Sequence, residues 1–255
     1  MAGTAAHVTM RQRTPTYVAS LPEKDWIANA RKRRLPPQLA YDLVRRKNIW
    51  LQRNVYRLSR SRPGLLRRFL LSGVRRRLPE GYDVDTHFTP KYRPWQQRLA
   101  FVPDGDLFAG ISAGKASMVT DEIETFTPKG IRTKGGQELE GDIIITATGF
   151  NLSVLGDIAF TIDGQPLDLS KKITYRGMMF TDVPNLLWVF GYFRASWTLR
   201  VDLICDLTCR LFKLMDAKGA KQVTPHLRPE DSGEPVLDWI SDDNFNPNYL
   251  KRSMH

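Results

Sequence analysis

Residues 142–149 read Asp-Ile-Ile-Ile-Thr-Ala-Thr-Gly, and no other stretch limits the fold as sharply. Three adjacent isoleucines followed by a threonine favour an extended backbone, because branching at Cβ crowds a helix. The run does not alternate apolar with polar, so it does not read as a strand with one wet face. It predicts a strand over Asp142–Thr146 buried on both faces, as in a parallel sheet of an α/β domain. Ala147-Thr148-Gly149 then offers small side chains at the carboxyl end of that strand, where open α/β sheets receive ligands. Leu186–Phe190 repeats the pattern and ends at Gly191, ahead of a helix expected to start near Ser196. The free N–H groups of such a helix start suit an anion or a polar ring. Both segments also admit the plainer reading of ordinary strand-to-loop transitions.

Two cysteines in 255 residues exclude a disulfide-stapled scaffold and a four-cysteine zinc site. Cys205 and Cys209 lie four apart on one helical face and are expected to pack in a core. The four histidines (His7, His87, His226 and His255) lack metal-ligand spacing, so no metal is expected. No Walker loop, Gly-x-Ser-x-Gly or GxGxxG is present. No apolar run approaches the roughly 20 residues of a membrane span, and the first residues do not read as a signal peptide. A cytoplasmic protein is the resulting expectation.

The net charge of +11 is unevenly distributed: +16 over residues 1–100 and −5 over residues 101–255. Residues 31–77 hold 16 basic side chains and one acid, Asp42. Apolar residues recur among them at helical spacing and predict three helices between Glu23 and Leu78, broken at Pro36-Pro37 and Pro63-Gly64. One reading is a solvated helical face. The other is a surface for phosphate or lipid headgroups. The apolar interleaving favours packing or membrane contact over nucleic acid, which is not an expected partner.

Short strands are predicted at His7–Arg11, Arg98–Val102, Ser117–Thr120, Ile123–Phe126 and Gly130–Thr133, with a hairpin signal at Lys134–Gln137. A short helix is expected at Leu107–Ile111, capped by Asp104. A longer one is expected from Ser196 to about Met215, with Leu199, Leu203, Leu207, Leu211 and Leu214 on one stripe and Gly219 as its stop. Arg13, just beyond a strand, stands where a ribose 2′-phosphate can be held, although a solvated loop arginine is the plainer alternative. Arg98 precedes an apolar strand and likewise reads either as an anion partner or as a surface residue.

Seven segments occur together in a fixed order: QRTPTY (Gln12–Tyr17), RRLPEGYD (Arg76–Asp83), RLAFVPDGDLF (Arg98–Phe108), IIITATGFN (Ile143–Asn151), RGMMF (Arg176–Phe180), PNLLWVFGY (Pro184–Tyr192) and ASWTL (Ala195–Leu199). In this the chain resembles the flavin-dependent monooxygenases of Baeyer–Villiger type, and within them the mycobacterial ethionamide-activating subgroup. The resemblance runs from about His7 to Ala217. It implies FAD and NADPH as cofactors, a peroxyflavin as oxidant, and a ketone or sulfur-containing small molecule as substrate. By position it makes Arg13 and Thr14 contacts of the NADP 2′-phosphate. Gln97 falls where relatives often carry a lysine near that phosphate. Arg98 matches the arginine that stabilises the anionic peroxyflavin and places the nicotinamide. Ala147, Thr148 and Gly149 match the strand end beside FAD, and Gly191 and Ser196 the wall facing the flavin ring.

The implied fold is an α/β, two-dinucleotide-binding-domain flavoprotein, here incomplete and with a helical insertion. Its expected parts are residues 1–22 and 98–141 of the NADP-binding domain, a helical region at 23–97, the C-terminal part of the FAD-binding domain at 142–224, and a loose tail at 225–255. The family's two glycine-rich pyrophosphate loops and its fingerprint lie outside these residues. The expectation is therefore a C-terminal portion that alone binds FAD poorly and is inactive, with peripheral membrane association as a further property of its basic helices.

Overall fold

A computed structural model describes residues 1–192, 198–235, 245 and 247–252, which fall into two compact units, Met1–Gly149 and Phe150–His255. In the first unit the chain opens with β1 (Val8–Gln12) and β2 (Val18–Leu21), then runs through α1 (Trp26–Arg34), α2 (Pro37–Ser61), α3 (Pro63–Arg75) and α4 (Val84–Phe88). It continues through β3 (Ala100–Pro103), α5 (Asp106–Ser112) and β4 (Ala116–Thr120). A meander of β5 (Ile123–Thr127), β6 (Gly130–Thr133) and β7 (Glu138–Glu140) follows.

β1 pairs with β4 and β2 with β3, both in parallel. Parallel partners need long crossovers, and here the helical region and α5 provide them. The helices begin and end where local chemistry requires. Asp25 accepts a hydrogen bond from the Ala28 N–H at 3.0 Å and so caps α1. Arg31, Lys32, Arg33 and Arg34 crowd its last turn, where the helix dipole favours cations. Pro37 and Pro63 occupy the first turns of α2 and α3, positions at which a missing N–H costs nothing.

The main core lies where α3, α4 and α5 meet the parallel strands. Val18, Leu71, Val74, Val84, Phe88, Phe108, Ile111 and Met118 are buried there, and the Phe88 and Phe108 ring centres stand 5.7 Å apart. A second cluster joins Tyr17 to Leu66 and Leu70 of α3. In the hairpin between β6 and β7, Gly136 takes a left-handed φ of +85°, as the Lys134–Gln137 turn requires.

The second unit has two short antiparallel pairs, β8 (Thr161–Ile162) with β9 (Gln165–Pro166) and β10 (Thr174–Tyr175) with β11 (Met179–Phe180). The helices α6 (Thr198–Lys218) and α7 (Asn248–Lys251) follow. Phe180 stacks on Trp188 at 5.3 Å within one core, and Ile204 of α6 packs on Met178 and Met179 in another.

Several expectations are corrected. Asp142–Thr146 forms no strand: Ile143 is 82% exposed, and the segment has no ladder partner among the described residues. Strand preference cannot make a strand without a neighbour to bond with. Leu186–Phe190 is likewise irregular, held by a bond from the Trp188 N–H to the Met178 carbonyl at 2.9 Å. Asp104 does not cap α5. Gly105 stands at that position, and Asp104 instead accepts from the Glu23 N–H. Cys205 and Cys209 are exposed, as are Leu199, Leu203 and Leu214. The buried side of α6 is set by Ile204, with Leu207 and Leu211 partly covered.

Candidate functional site

β1 delivers its carboxyl end to a small polar network. The Gln12 side-chain amide donates to the His87 carbonyl at 2.7 Å and to the Thr120 hydroxyl at 2.8 Å, and His87 Nδ1 lies 2.8 Å from the same hydroxyl. These bonds lock β1, α4 and β4 together at Gln12, immediately before Arg13 and Thr14, which are exposed. An exposed guanidinium beside a hydroxyl suits a phosphate monoester, since charge-assisted bonds of this kind are the stronger ones.

The next residues are clamped to the segment that carries Arg98. Thr16 donates through its hydroxyl to the Arg98 carbonyl at 3.1 Å and lies 3.0 Å from the Tyr92 hydroxyl. The Tyr17 hydroxyl donates to the Tyr92 carbonyl at 2.9 Å, and the two rings meet edge to face. Burial pushes both phenols above their ordinary pKa. They are therefore neutral donors at every physiological pH, and the clamp does not titrate. Arg98 is exposed and Gln97 half-buried just ahead of β3. The structure thus gathers Arg13, Thr14, Gln97 and Arg98 onto two tethered segments.

Electrostatics tune this edge. The hydrogen-bonded Lys134, 2.5 Å away, is the main cause of a lowered Glu122 pKa, and the nearby charges of Arg13 and Arg11 add to it. Asp121 is also held below its ordinary 3.8, through a bond from Thr133, the N–H groups of Gly135 and Glu122, and the charge of Arg11. A carboxylate with a depressed folded pKa contributes stability above its unfolded value and loses it as pH falls through the folded one. The Asp121 clasp on the Gly135 N–H, 2.8 Å, is accordingly expected to persist at neutral pH and to release in acid. The Gly135 amide proton resonance should titrate with a midpoint below 3.8. A midpoint above that value would contradict the clasp.

The residues matched to the flavin divide between the two units. Ala147, Thr148 and Gly149 are exposed and irregular at the end of the first unit. Gly149 has φ +92°, and a Cβ placed on it would meet nothing within 4 Å, so its backbone is open to a flat ring. Gly191 is buried in the second unit, and Ser196 lies outside the described residues. Among the described residues no group of three or more His, Cys, Asp or Glu could hold a metal, and no helix is long and apolar enough to cross a membrane. Sequence reasoning missed Gln12, Thr16, Tyr17, Tyr92, His87 and Thr120 as positioning residues. Three of them sit in the QRTPTY segment, which was the available signal; Tyr92 and Thr120 carry none.

No family model matches the chain. Full-length curated proteins do, and they are monooxygenases that carry FAD in their names. The chain is 50% identical over 223 residues to the probable FAD-binding monooxygenase AlmA of Acinetobacter baylyi, covering 88% of this chain and 45% of that protein. It is 47% identical over 251 residues to the FAD-containing monooxygenase EthA of Mycobacterium tuberculosis, covering 98% of this chain and 50% of EthA. EthA of Mycolicibacterium smegmatis is 46% identical over 254 residues, again half of that protein. The chain is thus similar along nearly all its length to flavin monooxygenases of the EthA subgroup, and it spans about half the length of the curated relatives it matches.

Proposed function

We propose that the chain contributes the NADP-binding edge and part of the flavin surround to an FAD- and NADPH-dependent monooxygenase. Its proposed reaction inserts oxygen into a ketone, in Baeyer–Villiger fashion, or transfers it to sulfur. The similarity to EthA and AlmA supports this reading. The observation that carries it is the bond from Thr16 to the Arg98 carbonyl, because it ties the phosphate-facing loop to the arginine assigned to the reacting centre. We assign residues 1–22 and 98–141 to the NADP-binding domain, 142–224 to the FAD-binding domain, 23–97 to the helical region and 225–255 to a tail.

In this reading bound flavin supplies the activation of oxygen, and the protein supplies position and charge. Arg13 holds the 2′-phosphate through its planar fork, and the Thr14 hydroxyl adds a donor. Gln97 offers a neutral amide to the same group. Arg98 presents a permanent cation where negative charge develops, which lowers the energy of an anionic oxidant. Within the first unit, Ala147, Thr148 and Gly149 let the flavin ring approach the main chain.

Adenosine 2′,5′-bisphosphate isolates the first of these contacts. The chain is expected to bind it more tightly than adenosine 5′-phosphate, by isothermal titration. Arg13→Ala should weaken the bisphosphate by about 10–100-fold, the range for a charge-assisted bond, and leave the monophosphate unchanged. Equal affinity for the two nucleotides in the unsubstituted chain would overturn the assignment.

A further inference from the structure

The long helix α2 turns an unusual stripe toward solvent. Leu39, Leu43, Arg46, Trp50, Arg53 and Arg57 recur at spacings of four and three, so they share one face. A core-facing helix would bury such apolar residues, yet Trp50 is 65% exposed, Leu39 46% and the neighbouring Ile49 52%. Within α2 only Ala40 and Ser59 are buried.

Charge adds a second observation. Between Asp42 and Glu80 the sequence contains no carboxylate at all, and 12 basic residues. Lys47 pairs with Asp25 and Arg75 with Asp85, so those two cations are balanced. Among the described residues Arg46, Arg53 and Arg57 form no ion pair, and they stand on the same face as Trp50. The neighbouring helix α3 has the same character on its wet side, where Leu65 is 53% and Phe69 71% exposed.

We propose that this face of α2 seats the protein on an anionic lipid surface. The inference goes beyond the monooxygenase reading and does not depend on it. A nucleic acid would pair with the arginines but would leave Leu39, Ile49 and Trp50 against sugar and phosphate. A bilayer interface satisfies both halves of the stripe. Indole and aliphatic side chains enter the boundary between headgroups and acyl chains, and arginines reach back along it to phosphate. The helix is about 37 Å long, carries arginines along its length and is not apolar enough to cross a membrane, so it would lie flat on the surface. Charge complementarity selects acidic headgroups over zwitterionic ones.

The test uses the full chain and sedimentation with vesicles. Binding to vesicles containing phosphatidylglycerol should exceed binding to pure phosphatidylcholine at least tenfold. It should fall about tenfold or more as salt rises from about 50 to about 300 mM, because surface attraction is screened. A triple substitution, Arg46→Gln with Arg53→Gln and Arg57→Gln, should abolish most of the binding. Trp50→Ala should weaken it while keeping its salt dependence. All four sites are exposed, so melting temperatures should not move, and a melting scan verifies that the variants fold. Adenosine 2′,5′-bisphosphate affinity should be unaffected, which separates this proposal from the dinucleotide one. Equal binding to both vesicle types, no binding to either, or preferential binding to duplex DNA would each overturn it.

Discussion

Phe88→Ala is expected to cost about 3–5 kcal/mol of stability, the range for deleting a fully buried aromatic ring. Phe88 is fully buried, against Phe108 at 5.7 Å and Tyr82 at 6.2 Å. Its loss leaves a cavity between α4, α5 and the parallel strands, and that part of the core has little freedom to close it. Domains of this size are held by only about 5–15 kcal/mol, so the variant should unfold at a visibly lower urea concentration. The effect should reach the site as well, because the neighbouring His87 carbonyl anchors Gln12. Phe69→Ala supplies the control. Its ring is 71% exposed, so it should stay within about 0.5 kcal/mol of the parent. Equal losses for the two phenylalanines would contradict a core built around Phe88.

Gly130→Ala comes next in size, and its contrast with Gly73→Ala makes it informative. A Cβ on Gly130 would run into the backbone carbonyl of Leu139, across the β6–β7 pairing in which Gly130 opposes Glu140. Backbone cannot rotate away as a side chain can, so the strands must separate, at about 3 kcal/mol or more. Gly73 lies inside α3, and a methyl group added there would meet nothing within 4 Å. There the same substitution should stabilise by about 0.5–1 kcal/mol, since alanine gives up less entropy in a helix. Amide hydrogen exchange at Ile131 and Leu139 would register the first change, and thermal melting both.

The sequence made the helices legible because they are governed locally. Proline at positions 36, 37 and 63 marks their breaks, and the period of apolar residues marks their extent. Short strands such as Ser117–Thr120 were also readable, since turn residues flank them. Asp142–Thr146 was misread because a strand is a relation between two segments, and composition describes one. The same limit applies to burial. Trp50 and Leu39 have the spacing of a core stripe, but only contact with another element makes a stripe into a core. At the candidate site the charged residues stood out by type. Their supports, Tyr92 and Thr120, did not, because their roles come from segments brought together over 75 or more residues.

The uncovered isoleucines carry a practical consequence. Ile143, Ile144 and Ile145 are 82%, 42% and 63% exposed, and among the described residues no backbone hydrogen bond joins residues 142–149 to the rest. A stretch that is β-branched, exposed and unpaired can template its own kind, since two copies that extend can satisfy each other's main chains and interlock their side chains. Protein concentration then acts on this segment as a reagent. Crowded preparations should thicken into fibrillar material from this point outward, and a lysine in place of Ile144 should act as a gatekeeper against it.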